Sequence, residues 1–467
     1  MSDGASHLRR FSACQSKRRF SIFLIFHSPR GKRITGPFPN RTGRPLQRRA
    51  GRYFSALRRA KIATFGRSCP ALSDSSAIPP RGVLLRSQRL VTFAVSLLAL
   101  FGTAAQAIPI PAPPQFDAKS YVLMDADSGQ VLAASHPDLR SEPASLTKLM
   151  TAYVVFHALQ DGVIHLNTPV TISAKAWRMG GSRMFVNVGS QVSVNNLLQG
   201  LIVQSGNDAA VALAEKVGGT EGTFVELMNQ YARKLGLKNT HYVDASGLTS
   251  NPAHYVSALD LAILSRAIIK EFPQYYHRYF AEKQFTWDDI TQMNRVSPLF
   301  TDPSVDGLKT GFTDKAGYCM VVSALRNGMR LIAVVMGTPS EAARAVDDEA
   351  LLNYGFNFYE THKLYAADSV LTKINAWKGA DSSVPVGVLD DMYVTIPKGG
   401  YRRLSAALQV PEGVIAPVKA HTEVGTVTAS YDGKVLAQAP LYTLKAVPEG
   451  NIFRRMIDSI RLWFAKK

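Results

Sequence analysis

Three short motifs stand in order along the chain: Ser145-Leu146-Thr147-Lys148, Ser205-Gly206-Asn207 and Lys309-Thr310-Gly311. They constrain the fold because they supply a nucleophile, a base, a proton relay and a cation for a carboxylate, which are of use only if a helix start, a helix junction and a strand edge meet in one cleft. A single Ser-x-x-Lys carries little weight, since about one or two arise by chance in a chain this long. The ordered trio carries the inference.

Each motif falls where local pattern gives it a suitable element. Pro143 and the apolar spacing of Leu146, Leu149, Met150, Val154 and Ala158 predict a core helix from Ala144 to Leu159. Ser145 and Lys148, three residues apart, then share one face. Burial and the positive end of the helix dipole both disfavour the ammonium, so Lys148 is a candidate acceptor for the Ser145 proton. Helices are also predicted over Val194–Gln204 and Asp208–Val217. The junction between them holds Ser205, suited to pass a proton, Gly206, read as permitting a tight turn, and Asn207, suited to orient a substrate peptide bond or to cap the following helix. Lys309-Thr310-Gly311 precedes the β-rich run Gly317–Leu325. That order predicts an edge strand along which a substrate pairs, with Gly311 allowing backbone approach and Lys309 and Thr310 offering a charge and a hydroxyl to a carboxylate. Backbone N–H groups of Ser145 and Phe312 are the expected oxyanion donors.

A hairpin at Tyr121–Asp125 and Gln130–Ala134, a second at Gly317–Leu325 and Met329–Val335, and a helix from Ser340 to Phe356 indicate an α+β fold. Its core is an antiparallel sheet flanked by helices, with the first hairpin joining the late one. Residues 363–447 alternate short β runs (Met392–Ile396, Thr426–Ser430, Lys434–Ala437) with Gly- and Pro-containing turns, and read as a small all-β domain without a chemical site of its own. At the end, residues 448–467 form an amphipathic helix. Ile452, Phe453, Met456, Ile457, Ile460, Trp463 and Phe464 lie on one stripe, with Arg454, Arg455, Asp458, Arg461, Lys466 and Lys467 on the other. This composition predicts a helix lying in a membrane interface.

The formal charge of +19 is confined to the N-terminal end: 20 Lys/Arg stand against Asp3 and Asp74 up to Arg89, leaving 34 basic and 33 acidic residues beyond. The balance excludes a nucleic-acid partner for the catalytic region. Leu90–Phe101 is apolar, follows Arg86 and Arg89, and precedes Ala105-Gln106-Ala107, so residues 89–107 have the layout of a secretory signal peptide cleaved after Ala107. Residues 1–88 are expected to be a disordered or untranslated extension, with the start of translation near Val83 or Leu84. Cys14 and Cys69 lie upstream of the cleavage point, so Cys319 alone is carried forward and no internal disulfide is expected. No metal-ligand spacing is present and no cofactor is implied.

Ser-x-x-Lys with Ser-Asp-Asn and Lys-Thr-Gly is an established signature of penicillin-binding proteins and class A β-lactamases. With Ser-Gly-Asn as its second element, the chain from Phe116 onward resembles a low-molecular-mass penicillin-binding protein of the serine-type D-alanyl-D-alanine carboxypeptidase family. The resemblance implies a peptidase domain over 108–362, followed by the β domain and the end helix. It makes Ser145 the acylated nucleophile, Lys148 its proton acceptor and Ser205 a relay, with Lys309 and Thr310 holding the substrate's end and Arg344 near its terminal carboxylate. It implies removal of the terminal D-alanine from peptidoglycan pentapeptide stems, covalent inhibition by β-lactam antibiotics, and a periplasmic protein attached peripherally to the outer face of the cytoplasmic membrane. Phe312 departs from members that carry His after Lys-Thr-Gly, and implies altered efficiency or preference. The same chemistry would serve a D,D-endopeptidase. A β-lactamase would need a placed carboxylate, and in the segment His241–Ser250 only Asp244 is acidic. A non-catalytic cell-wall scaffold would not need the three motifs intact.

Overall fold

The computed structural model describes Phe20–Leu24 and residues 110–465. The signal segment at 89–107 and the remainder of 1–88 lie outside the described residues, as do Lys466 and Lys467. Within 1–88, Phe20–Leu24 is a β-strand paired antiparallel with Leu404–Val410, which departs over five residues from the unstructured extension read from composition.

The catalytic half is organised by a five-stranded antiparallel sheet. Its strands are β1 (Ser120–Asp125), β2 (Val131–Ser135), β3 (Val305–Thr313), β4 (Gly317–Arg326) and β5 (Met329–Thr338), in the spatial order β2-β1-β5-β4-β3. The N-terminal strand β1 pairs with β5, so the first hairpin joins the late one as the sequence indicates. Successive side chains on a strand point to opposite faces, and here both faces are covered. Val122, Met124, Val321, Ile332 and Val334 face the helical core, whereas Tyr121, Leu123, Met320, Val322, Leu331 and Ala333 pack under a helix on the other side. That helix, Glu341–Phe358, is capped by Ser340, whose hydroxyl accepts the Ala343 N–H.

The expected helix from Ala144 to Leu159 is two pieces: a 3₁₀ turn, Ala144–Leu146, and then the α-helix α1, Thr147–Gln160. The 3₁₀ turn holds Ser145, and its first residue, Ala144, has a positive φ of 48°, outside right-handed α-helical geometry. One apolar stripe was legible in the sequence, yet every residue of α1 from Thr147 to Phe156 is buried. The polar Thr147, Lys148 and Thr151 are enclosed with the rest, so each must find a partner inside the protein. Around α1 pack α2 (Val194–Ile202) and α3 (Asn207–Gly218), both rich in buried apolar side chains.

The β domain opens at Tyr359, where Tyr359–Tyr365 pairs with Met392–Pro397 directly after the helix Glu341–Phe358, four residues ahead of the boundary read at 363. Its larger sheet includes Val370–Trp377, Ser383–Gly387, Leu404–Val410, Glu423–Tyr431 and Lys434–Thr443, around a core that contains Ile374, Val386, Ile396, Leu408, Val427 and Leu441. A polar knot ties it to the first hairpin. Thr361 Oγ1 donates to Asp125 Oδ2 at 2.6 Å, and the hydroxyls of Ser128 and Thr395 share a hydrogen bond of 2.7 Å.

The terminal helix, Ile452–Ala465, docks by its polar side. Asp458 is 6% exposed and accepts the Lys378 N–H at 2.8 Å, while Arg454 donates to the Ala380 carbonyl at 3.0 Å. Its apolar residues Ile452, Phe453, Met456, Ile457, Ile460, Trp463 and Phe464 all remain exposed. Among the described residues no helix is long and apolar enough to cross a membrane.

Candidate active site

The turn Ala144–Leu146, the start of α3 and strand β3 converge. Gly311 explains the closeness of the strand: a Cβ there would lie 2.9 Å from the Pro143 carbonyl oxygen and 3.1 Å from Leu146 Cγ. The missing side chain therefore lets the turn carrying Ser145 pack directly on the strand. Gly206 likewise serves close packing and not an unusual φ, since its φ is −60° and a Cβ would sit 2.8 Å from Asp208 Oδ1. The residue of the junction with left-handed backbone is Ser205, at φ 66°.

Lys148 lies at the centre. It is 1% exposed, and its Nζ is 3.1 Å from Ser145 Oγ, 2.6 Å from Asn207 Oδ1 and 2.6 Å from the Ser246 carbonyl oxygen. Burial lowers its pKa from 10.5 to about 7; the carboxylates of Asp244 and Asp208 work against the shift and Arg295 adds to it. An amine on this side of its titration has two N–H donors and a lone pair. Two fixed acceptors at 2.6 Å match the donors, and the hydroxyl of Ser145 faces the lone pair.

Asn207 has both ends of its amide engaged, the oxygen by Lys148 and the Nδ2 by the Gly180 carbonyl at 2.8 Å. Its oxygen orients the lysine, and its side chain does not cap α3, whose N-cap is Gly206 without a side-chain bond. Ser205 is 2% exposed, and among the described residues its Oγ has no hydrogen-bond partner.

Lys309 is 2% exposed, and its ammonium meets only the Thr310 carbonyl, at 3.3 Å. Burial pushes its pKa well down, and the nearby cations Lys148, Arg295 and Arg344 push it further. Three basic side chains close to one buried amine favour an anionic guest. Arg344 is also buried, donates to Glu341 Oε1 at 2.5 Å and lies over the Tyr318 ring at 5.6 Å. Its Nε has no partner. Phe312, in β3, is 48% exposed, and its ring lies tilted by 34° against that of Tyr318 with ring centres 4.3 Å apart.

Four contributors escaped the sequence reading. Asp208 accepts the N–H groups of Met184 and Phe185 at 3.0 and 2.9 Å, fixing the loop that borders Asn207. Asp244 accepts from Ser246 N at 2.7 Å, Ser246 Oγ at 2.9 Å and Gly247 N at 2.6 Å, and so shapes the loop whose carbonyl holds Lys148. Arg295 acts through charge alone on both lysines, and His254 is treated below. Asp208 directly follows Ser-Gly-Asn, which was its only local signal. Among the described residues there is no cluster of His, Cys, Asp or Glu able to hold a metal.

Fold and site define a serine-type peptidase of the Ser-x-x-Lys class with an appended β domain. Comparison with known proteins agrees with this class. The family profile described as D-alanyl-D-alanine carboxypeptidase matches residues 107–340, and that described as penicillin-binding protein 5, C-terminal domain, matches residues 359–449. The D-alanyl-D-alanine carboxypeptidase DacA of Escherichia coli is 42% identical over 363 residues, which span 76% of this chain and 90% of the relative. The crystal structure of penicillin binding protein 5 from Haemophilus influenzae is 43% identical and superposes with a TM-score of 0.69, covering 73% of this chain and 100% of that one. Penicillin binding protein 6B from Escherichia coli, 38% identical, gives a TM-score of 0.59 over 72% of this chain and 98% of its own. The chain belongs to the D-alanyl-D-alanine carboxypeptidase family.

Proposed function

We propose that the protein removes the terminal D-alanine from the pentapeptide stems of peptidoglycan through an ester on Ser145. Neutral Lys148 accepts the Ser145 proton as Oγ attacks the penultimate D-alanine carbonyl, and backbone N–H groups of Ser145 and Phe312 hold the oxyanion. Ser205 passes a proton to the departing amine, free D-alanine leaves, and water then hydrolyses the ester. Lys309, Thr310 and Arg344 receive the substrate's terminal carboxylate, which would restore the charge on Lys309 that burial suppresses. The observation that carries this reading is the Lys148 amine, enclosed, titrating at about 7 and 3.1 Å from Ser145 Oγ.

A β-lactam presents a strained amide to the same serine and acylates it. A β-lactamase reading lacks its base: one oxygen of Asp244 is taken by three donors, and the other lies 3.7 Å from His254. The outward apolar face of the terminal helix, with its polar face spent on the β domain, supports attachment to a membrane surface on the periplasmic side.

Release of D-alanine from a diacyl-D-Ala-D-Ala peptide by the purified protein, compared with Ser145→Ala, tests the assignment. Loss of release in the variant is the expected result; unchanged release would refute it.

A further inference from the structure

His254 lies outside the three motifs and bridges Thr147, which stands between Ser145 and Lys148, to Val243, at the start of the loop whose Ser246 carbonyl holds Lys148. It is 2% exposed and stands on the segment that returns from the loop His241–Ser250. Its Nδ1 is 3.0 Å from the backbone N of Val243, and its Nε2 is 2.8 Å from Thr147 Oγ1. The Thr147 hydroxyl is in turn 2.8 Å from the carbonyl oxygen of Ala144, the residue before the nucleophile.

These contacts fix every proton. An amide N–H only donates, so Nδ1 holds a lone pair and the neutral ring carries its hydrogen on Nε2. A carbonyl only accepts, so the Thr147 hydroxyl spends its hydrogen on Ala144 and receives the imidazole N–H. The bonds run one way, from Val243 N–H through the ring and the hydroxyl to Ala144. The charged or titratable groups facing the ring are Asp244, His241 and Glu142, and burial holds the imidazole pKa below its ordinary value, which favours this neutral form.

The position of this relay matters because Ala144 has a φ of 48°, an uncommon conformation for a residue other than glycine that needs support from its surroundings. On the far side of the ring, Val243 begins the turn in which Asp244 clamps Ser246 and Gly247, and the Ser246 carbonyl holds Lys148. Gly247 completes the block, since a Cβ on it would fall 1.8 Å from the Ala144 oxygen. We propose that His254 is a positioning residue for acylation, a neutral imidazole that through Thr147 and Val243 holds the Ser145 turn and the Lys148 loop in mutual register. The inference rests on Ser145 being the residue acylated, which the wild-type adduct checks separately.

The test is a set of substitutions in the full chain, read by the second-order rate of acylation with labelled penicillin, by kcat and KM for D-alanine release, and by thermal midpoint. Removing the N–H with His254→Leu, or the hydroxyl with Thr147→Val, is expected to slow acylation and lower kcat about tenfold or more, with KM within twofold. The double variant is expected to lose no more than the worse single one, because both break the same chain. His254→Gln, whose amide offers one acceptor and one donor at similar spacing, is expected to restore acylation to within about threefold of wild type. Losses that multiply in the double variant, or His254→Leu acylating at the wild-type rate, would overturn the proposal. Should His254→Leu not fold, Thr147→Val acylating normally would overturn it alone.

Discussion

Lowering the pH below 7 refills the one lone pair on which acylation depends. An ordinary lysine, with the pKa of 10.5, is neutral in roughly one molecule in 3,000 at pH 7. At about 7, Lys148 is neutral in about half of them, a change worth about 5 kcal/mol in the balance between its two forms. If the neutral fraction sets the rate, kcat/KM for D-alanine release keeps about a tenth of its plateau at pH 6 and about a hundredth at pH 5, with a slope of one. Asp244 raises the lysine's pKa, so Asp244→Asn, which keeps an oxygen for Ser246 and Gly247, moves the acid limb to lower pH. Lys148→Arg stays charged across this range and release falls about a thousandfold. The assay is initial-rate D-alanine release at saturating and limiting peptide, from pH 5 to 9, beside penicillin acylation. A flat profile, a midpoint near 10, or an upward move with Asp244→Asn would refute the reasoning.

The same titration acts on folding. Between about pH 7 and 10.5 the unfolded chain binds the Lys148 proton and the native one does not, so stability rises with pH in that window. The thermal midpoint of the wild type should therefore gain on Lys148→Met between pH 7 and 10, as followed by calorimetry. Ser205→Ala removes a hydroxyl with no partner, so unfolding changes by under about 1 kcal/mol while D-alanine release falls about a hundredfold. Gly311→Ala places a Cβ 2.9 Å from the Pro143 oxygen, and is expected to cost about 1–3 kcal/mol and to slow acylation by displacing the turn. A chain ending at Gly450 lacks the exposed apolar stripe, and should stay in the supernatant with anionic vesicles that sediment the full chain.

The motif residues and the sheet were legible because they obey local rules. Alternating apolar runs gave β1, β4 and β5, and spacing of three placed Ser145 beside Lys148. The α1 helix shows where local rules stop. Its apolar stripe could be counted, yet its polar residues are buried as well, because other helices close over it and nothing in its own sequence says so. Gly206 was read as freedom of the backbone, yet its φ is ordinary and a Cβ there meets Asp208, while at Gly311 a Cβ would meet Pro143, a neighbour distant in sequence that local pattern does not reveal. The partners that hold the site came from afar too: the Ser246 carbonyl that accepts from Lys148 is 98 residues on, and His254 is 107 residues from Thr147. The terminal helix gave its two faces correctly, whereas the side that meets the β domain depended on Asp458 finding the Lys378 N–H.

The central claim is that Ser145, activated by a neutral Lys148, carries the acyl group. Digestion of the protein after brief treatment with labelled penicillin at pH 8, followed by mass spectrometry, tests it most directly. The account predicts one adduct, on the peptide containing Ser145, and none in Ser145→Ala. An adduct on any other residue, or undiminished labelling of that variant, would contradict it.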